Sequence, residues 1–160
     1  MTRHSLPPAD PDRHVAQVNT ARLLAPLDSP ALRDFVAGLE PINALADRSA
    51  GFVWRLQTEG GDATAIRPYD DDRIMVNLSV WRSLPALWDF VYASRHLDVM
   101  RRRREWFERI EVYMALWWVP AGTLPSVEEA KERLERLRRD GPGPEAFTFR
   151  APWPPAVATG

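Results

Sequence analysis

The chain has 160 residues, 45% of them hydrophobic and 27% charged, with a net charge of -1 and no cysteine. This is the balance of one ordinary globular domain, and two domains of half the length would each be short of core. It excludes disulfides, thiol nucleophiles and thiolate metal sites, offers no basic surplus to draw nucleic acid or an anionic membrane surface, and holds no apolar run near the roughly 20 residues of a membrane span.

In chain order, residues 1–13 predict a disordered leader, polar and broken by Pro7, Pro8 and Pro11, without the apolar stretch of a signal peptide. Residues 15–24 predict a strand. Ser29 and Pro30 open a helix as cap and first residue, with Leu32, Phe35, Val36 and Leu39 at helical spacing; Pro41 is expected to bend or end it, and Ile42 and Leu45 to add a turn. Residues 52–57 predict a second strand, and Glu59, Gly60, Gly61 and Asp62 a turn. Residues 74–81 give the clearest strand, with Ile74, Val76, Leu78 and Val80 on one face and Met75, Asn77, Ser79 and Trp81 on the other. Ser83 then caps a helix whose apolar side is Leu84, Leu87, Trp88 and Val91. A further helix is expected over 96–110, and the apolar run 113–119 reads as a strand buried on both faces. Ser126 and Glu129 form a capping box for a last helix with the seam Val127, Ala130, Leu134 and Leu137, stopped by Gly141 and Pro142. The end, 151–160, is a proline-rich tail.

The order strand, helix, strand, strand, helix, strand, helix predicts an α+β fold. Its unit is a ferredoxin-like βαββαβ over residues 14–150 with an extra C-terminal helix. Strands carrying Trp54, Trp81, Trp117 and Trp118 would leave a large apolar face on a lone subunit, so a homodimer paired through the sheet is expected.

Chemistry concentrates on the stretch after residue 95. At about 100° per residue a helix from His96 gathers Val99, Met100, Arg103, Trp106, Phe107 and Ile110 on one arc with His96 itself. Arg101, Arg102, Arg104, Glu105, Glu108 and Arg109 fall on the solvated side. A guanidinium on the buried arc needs a carboxylate, a carbonyl or a ligand anion, which singles out Arg103. His96 reads either as a helix-start histidine bonded to backbone or as a general base or axial ligand. The other histidines, His4 and His14, lie in or beside the leader, so no histidine-based metal centre is expected. Gln17 with Asn19, and Asn77 with Ser79, place amides and a hydroxyl on strand faces. Cross-strand hydrogen bonding and a small-molecule site with a few polar groups both account for them. Asp70, Asp71 and Asp72 read as a solvated turn, Gly60 and Gly61 lack a phosphate-loop setting, and no serine sits in a nucleophile elbow.

The stretches AQVNTARLLAPLDSP (16–30), INALADRSAGFVWRLQ (42–57), VNLSVWRSLPALWDFVYAS (76–94), HLDVMRRRREWFE (96–108) and ALWWVPAG (115–122) resemble the bacterial domain of unknown function DUF3291. That resemblance implies a place in the dimeric α/β-barrel superfamily beside antibiotic-biosynthesis monooxygenases, and a homodimer; it implies no established activity. Haem-degrading members of the superfamily use an asparagine, a tryptophan and a histidine. Asn19 and His96 match, but Phe90 stands where the tryptophan is expected, with Trp88 two positions away, which argues against haem breakdown. Cofactor-free quinone-forming monooxygenases use tryptophan, asparagine and tyrosine, a set that Trp54, Trp81, Asn77 and Tyr92 could supply.

The expectation is therefore a cytoplasmic, monooxygenase-like enzyme acting on a flat apolar substrate. His96 would serve as acid/base, Arg103 as anion anchor, and Asn19 and Asn77 as orienting groups; Trp54, Trp81 and Trp106, with Met100 and Phe90, would be the walls. Two alternatives stand beside it: a non-catalytic binding protein for a hydrophobic ligand or haem, and a structural homodimer without a cavity. No cofactor is fixed by the sequence, absence and haem both remaining open.

Overall fold

The computed structural model describes residues 6–57, 71, 73–109 and 113–155. The expected turn at Glu59, Gly60, Gly61 and Asp62, together with His4, Asp70, Asp72, Ile110 and the last residues of the tail, lies outside them. Four strands, β1 (Arg13–Arg22), β2 (Phe52–Arg55), β3 (Ile74–Trp81) and β4 (Met114–Pro120), form one antiparallel sheet in the order β2-β3-β1-β4. With a helix after β1 and helices after β3, this is the ferredoxin-like arrangement the element order predicts. The helices are α1 (Arg33–Arg48), α2 (Leu84–Ala93), α3 (His96–Arg101), α4 (Arg103–Trp106) and α5 (Val127–Asp140).

Alternation along the strands divides the core. Ala16, Val18, Val76, Leu78, Val80, Ala115, Trp117 and Val119 bury on one face against Ala130, Leu134 and Leu137 of α5. Val15, Trp81 and Leu116 turn to the other face and pack with Leu84, Leu87 and Val91 of α2. Helix α5 thus covers the face that the sequence reading reserved for a second subunit: Trp117 is buried within the single chain, and Trp81 is buried under α2. The open apolar face from which dimerisation was argued is absent among the described residues.

Local chemistry sets the helix ends. Ser83 Oγ accepts from Ala86 N (3.1 Å) and Ser126 Oγ from Glu129 N (3.0 Å), each meeting a donor that the first turn leaves free. Ser29 does not cap: its hydroxyl donates to the Pro26 carbonyl, and a 3-10 turn, Pro30–Leu32, intervenes before α1. α1 runs through Pro41 without ending, although proline there removes a helix hydrogen bond. Gly51 turns the chain from α1 into β2 at φ 81°, where a side-chain carbon would meet Ala86 Cβ at 2.5 Å, so only glycine fits.

Three differences from the sequence reading bear on the site. Leu6 of the supposed leader is buried among Val15, Trp81 and Leu84. The tail is tied to β4 through Trp118 Nε1, which donates to the Trp153 carbonyl (2.7 Å). The single helix expected over 96–110 is broken at Arg102 and ends at Trp106. Beyond it the backbone pairs with the end of β1: Leu24 N donates to Trp106 O (2.8 Å) and Glu108 N to Arg22 O (2.9 Å). Trp106 buries against Leu23 and Leu32, so pairing and aromatic burial outweigh continuation of the helix.

Candidate functional site

α1 does not lie flat on the central strands. It packs on β2, on the turn before it and on α3, and Ala46 is its one buried residue. Its inner side, with Phe35, Leu39 and Ile42, is only half-buried, because it faces a cavity of about 490 Å³ between the helices and the sheet. That volume is within the ordinary range of small-molecule sites.

The floor is a polar ladder across β1 and β3. The register sets Gln17 opposite Ser79 and Asn19 opposite Asn77, so the two polar faces coincide. Gln17 Nε2 donates to Asn77 Oδ1 (2.6 Å) and to Ser79 Oγ (2.8 Å). Trp81 Nε1 also donates to Ser79 Oγ (2.9 Å), and Asn19 Nδ2 donates to Gln17 Oε1 (3.0 Å). Gln17 spends both amide hydrogens within the ladder, whereas Asn77 uses its oxygen there and keeps its NH₂ group for the cavity. Cross-strand bonding and presentation of polar groups to a cavity are therefore both realised by the same four residues.

His96 opens α3 on the cavity wall, its ring 4.8 Å from that of Phe90, which in turn stacks on Trp81 at 5.1 Å. His96 Nδ1 stands 3.3 Å from the Val91 carbonyl oxygen. A carbonyl can only accept, so the ring proton belongs on Nδ1 and Nε2 is the basic nitrogen. Burial pushes the imidazole below its usual value of 6.5, more than the Val91 contact raises it, and the ring is neutral at pH 7. The backbone N–H of His96 donates to Ser94 Oγ (3.1 Å), and that hydroxyl donates to the Phe90 carbonyl, fixing the start of α3.

Arg103 borders the cavity from its rim and is exposed, not buried as the helical arc implied. Its Nη1 donates to Tyr113 Oη (3.2 Å), and the guanidinium lies 5.6 Å from the centre of the Tyr113 ring. Arg104, Glu108 and Arg109, expected on the outer side, also border the cavity because the helix breaks. Tyr92 lines it too; burial pushes its phenol up, Tyr113 adds to that and Arg103 opposes it.

Of the expected site residues, Asn19, Asn77, Trp81, Phe90, His96, Met100 and Arg103 border one cavity. Trp54 and Trp106 do not. Trp54 packs on the α5 side of the sheet, and Trp106 is buried with Leu23 and Leu32. Of the three expected indoles Trp81 alone is on the wall, among phenylalanine, tyrosine, methionine and aliphatic side chains. The sequence reading missed the inner side of α1, whose spacing is that of any core helix, and Tyr113, which it took as the start of a strand. No group of three or more metal-binding side chains occurs among the described residues. His96 is the one imidazole among the described residues that line the cavity, and its ring stands beside that of Phe90.

Strand order, helix placement and cavity together define a ferredoxin-like α+β domain with a hollow between helices and sheet. The chain belongs to the family described as Domain of unknown function (DUF3291), whose model matches residues 14–159. No curated protein is significantly similar to it. Among solved structures it is similar to SnoaB, a cofactor-independent oxygenase from Streptomyces nogalater, at 21% identity and a TM-score of 0.46, covering 72% of this chain and 99% of that one. A protein of unknown function from Nitrosomonas europaea is similar at 13% identity and a TM-score of 0.44, covering 73% and 99% of the two chains. At such values neither likeness bears on this chain's chemistry.

Proposed function

We propose that the cavity holds a flat, largely apolar small molecule and that the chain oxidises it in a monooxygenase-like reaction with His96 as general base. The observation that carries the reading is a neutral, desolvated imidazole with a fixed tautomer on the wall of a cavity of about 490 Å³. Phe35, Phe90 and Met100 suit a planar apolar body, and the amides of Asn19 and Asn77 can orient a carbonyl or hydroxyl on it. His96 Nε2 takes a proton from an acidic methylene of the substrate, and the carbanion passes its electrons to dioxygen. The methylene becomes a carbonyl; dioxygen supplies that oxygen and the oxygen of one water.

Anthrone is a suitable probe, being flat, tricyclic and acidic at one methylene. Aerobic incubation without added cofactor is expected to consume one dioxygen per anthrone, and His96→Gln to slow the reaction by about 100-fold. Binding of anthrone without oxygen consumption overturns the enzyme and leaves a carrier of apolar ligands. A homodimer, implied by the superfamily resemblance, is part of the same proposal and is checked by sedimentation equilibrium. So is residence in a reducing cytoplasm, which the lack of cysteine suits; no described helix is long and apolar enough to cross a membrane.

A further inference from the structure

The cavity has largely apolar walls over its polar floor and is cationic along one edge. In the run 101–104 the two arginines that do not border it are paired: Arg101 lies 3.9 Å from Asp98, and Arg102 is bonded to Asp34 (2.9 Å) and Glu105 (2.8 Å). Arg103 and Arg104, which do border it, have no carboxylate partner among the described residues, and neither has Arg109. The carboxylate on the lining, Glu108, is held by Arg22, and the remaining lining guanidinium, Arg55, by Asp47 (2.8 Å). Three positively charged side chains thus border the cavity without a carboxylate partner among the described residues.

One of the three is aimed. The bond to Tyr113 Oη and the stacking over its ring hold the Arg103 guanidinium in place while using only one of its N–H donors. The phenol oxygen accepts in that bond, so its own proton is free to donate. Tyr113 is itself fixed to β1, its backbone carbonyl accepting from Thr20 N (2.8 Å). A planar guanidinium beside a free phenolic O–H, at the mouth of an apolar cavity, is a receptor for a carboxylate, whose two oxygens match that geometry.

We infer that the ligand of the cavity is a planar carboxylic acid, its apolar body beneath α1 and its carboxylate at Arg103 and Tyr113. The inference rests on the small-molecule reading above and names the chemical class of that molecule. The test compares 9-anthracenecarboxylate with its neutral counterpart 9-anthracenemethanol, binding to the full chain being followed by quenching of tryptophan fluorescence. The acid is expected to bind at least about tenfold more tightly, the usual worth of a charge-assisted contact. Arg103→Gln removes that preference and leaves the alcohol within about twofold, and Arg103→Lys restores part of it. Equal binding of the two probes by the unmodified chain overturns the carboxylate site and spares the cavity. A loss of both probes in Arg103→Gln also overturns it, since the arginine then acts through structure alone. If neither probe binds the unmodified chain, the small-molecule reading itself fails and the carboxylate site with it.

Discussion

Around His96 burial outweighs the hydrogen bond to Val91 and keeps the ring uncharged. In the unfolded chain the imidazole takes up its proton near 6.5, above its value in the fold. As pH falls below about 6.5 the unfolded state therefore binds the proton first, and the folded state loses stability; above 6.5 this dependence vanishes. His96→Gln should flatten that acid limb in denaturant midpoints measured between pH 5 and 7. The same depression keeps Nε2 unprotonated on the acid side, so any turnover persists below 6.5. The floor of the cavity makes a second prediction. Gln17 is buried and bonds Asn19, Asn77 and Ser79 together. Gln17→Leu leaves their amides and hydroxyl without these partners and is expected to cost about 1–3 kcal/mol in urea unfolding.

Among the elements, α1 and α5 differ in what they bury. α5 inserts Ala130, Leu134 and Leu137 into the sheet core, and Leu134 is fully enclosed. Leu134→Ala should cost about 2–5 kcal/mol, read from chemical denaturation. α1 carries Gly38 on the cavity lining with nothing within 4 Å of where a side-chain carbon would stand. Gly38→Ala should therefore stabilise by about 0.5–1 kcal/mol by removing backbone freedom, and leave ligand binding intact. Gly38→Trp should instead block binding, by projecting an indole into the cavity.

How legible these elements are in the sequence follows from where their hydrogen bonds and partners lie. The caps at Ser83 and Ser126, and the period-two faces of β3, are local, and they stand where the residues predict. The break at Arg102 is not local: the residues after Trp106 pair with β1, more than eighty positions earlier in the chain. No periodicity within 96–110 carries that partner. For the same reason the arc drawn from His96 buries Arg103, which is exposed, and turns Arg104 and Arg109 away from the cavity they border, while the strand registers that join Gln17 to Ser79 reward the alternation rule. The tryptophans mislead because Trp54 and Trp106, expected as walls, are spent elsewhere, as are others. Trp117 fills the α5 layer, Trp88 packs with Tyr92 and Phe149, and Trp118 anchors the tail.

Across the whole molecule, the sheet supports two layers of different firmness. The α5 side is a filled core, while on the other side α2 is packed down and α1 is propped over a hollow. Near its ends, α1 is held by the pairs Asp34–Arg102 and Asp47–Arg55. The Asp34–Arg102 pair is exposed at both partners and contributes little, about 1 kcal/mol at most.

A helix fastened near its tips and hollow beneath its middle should betray itself in deuterium uptake. Its amides should exchange by small, local openings long before those of β1 and β3, which release protons only when the whole sheet parts. Any molecule that occupies the space below would slow the labelling of α1 first, and mass spectrometry of peptides spanning 33–48 would register a ligand before its identity was known.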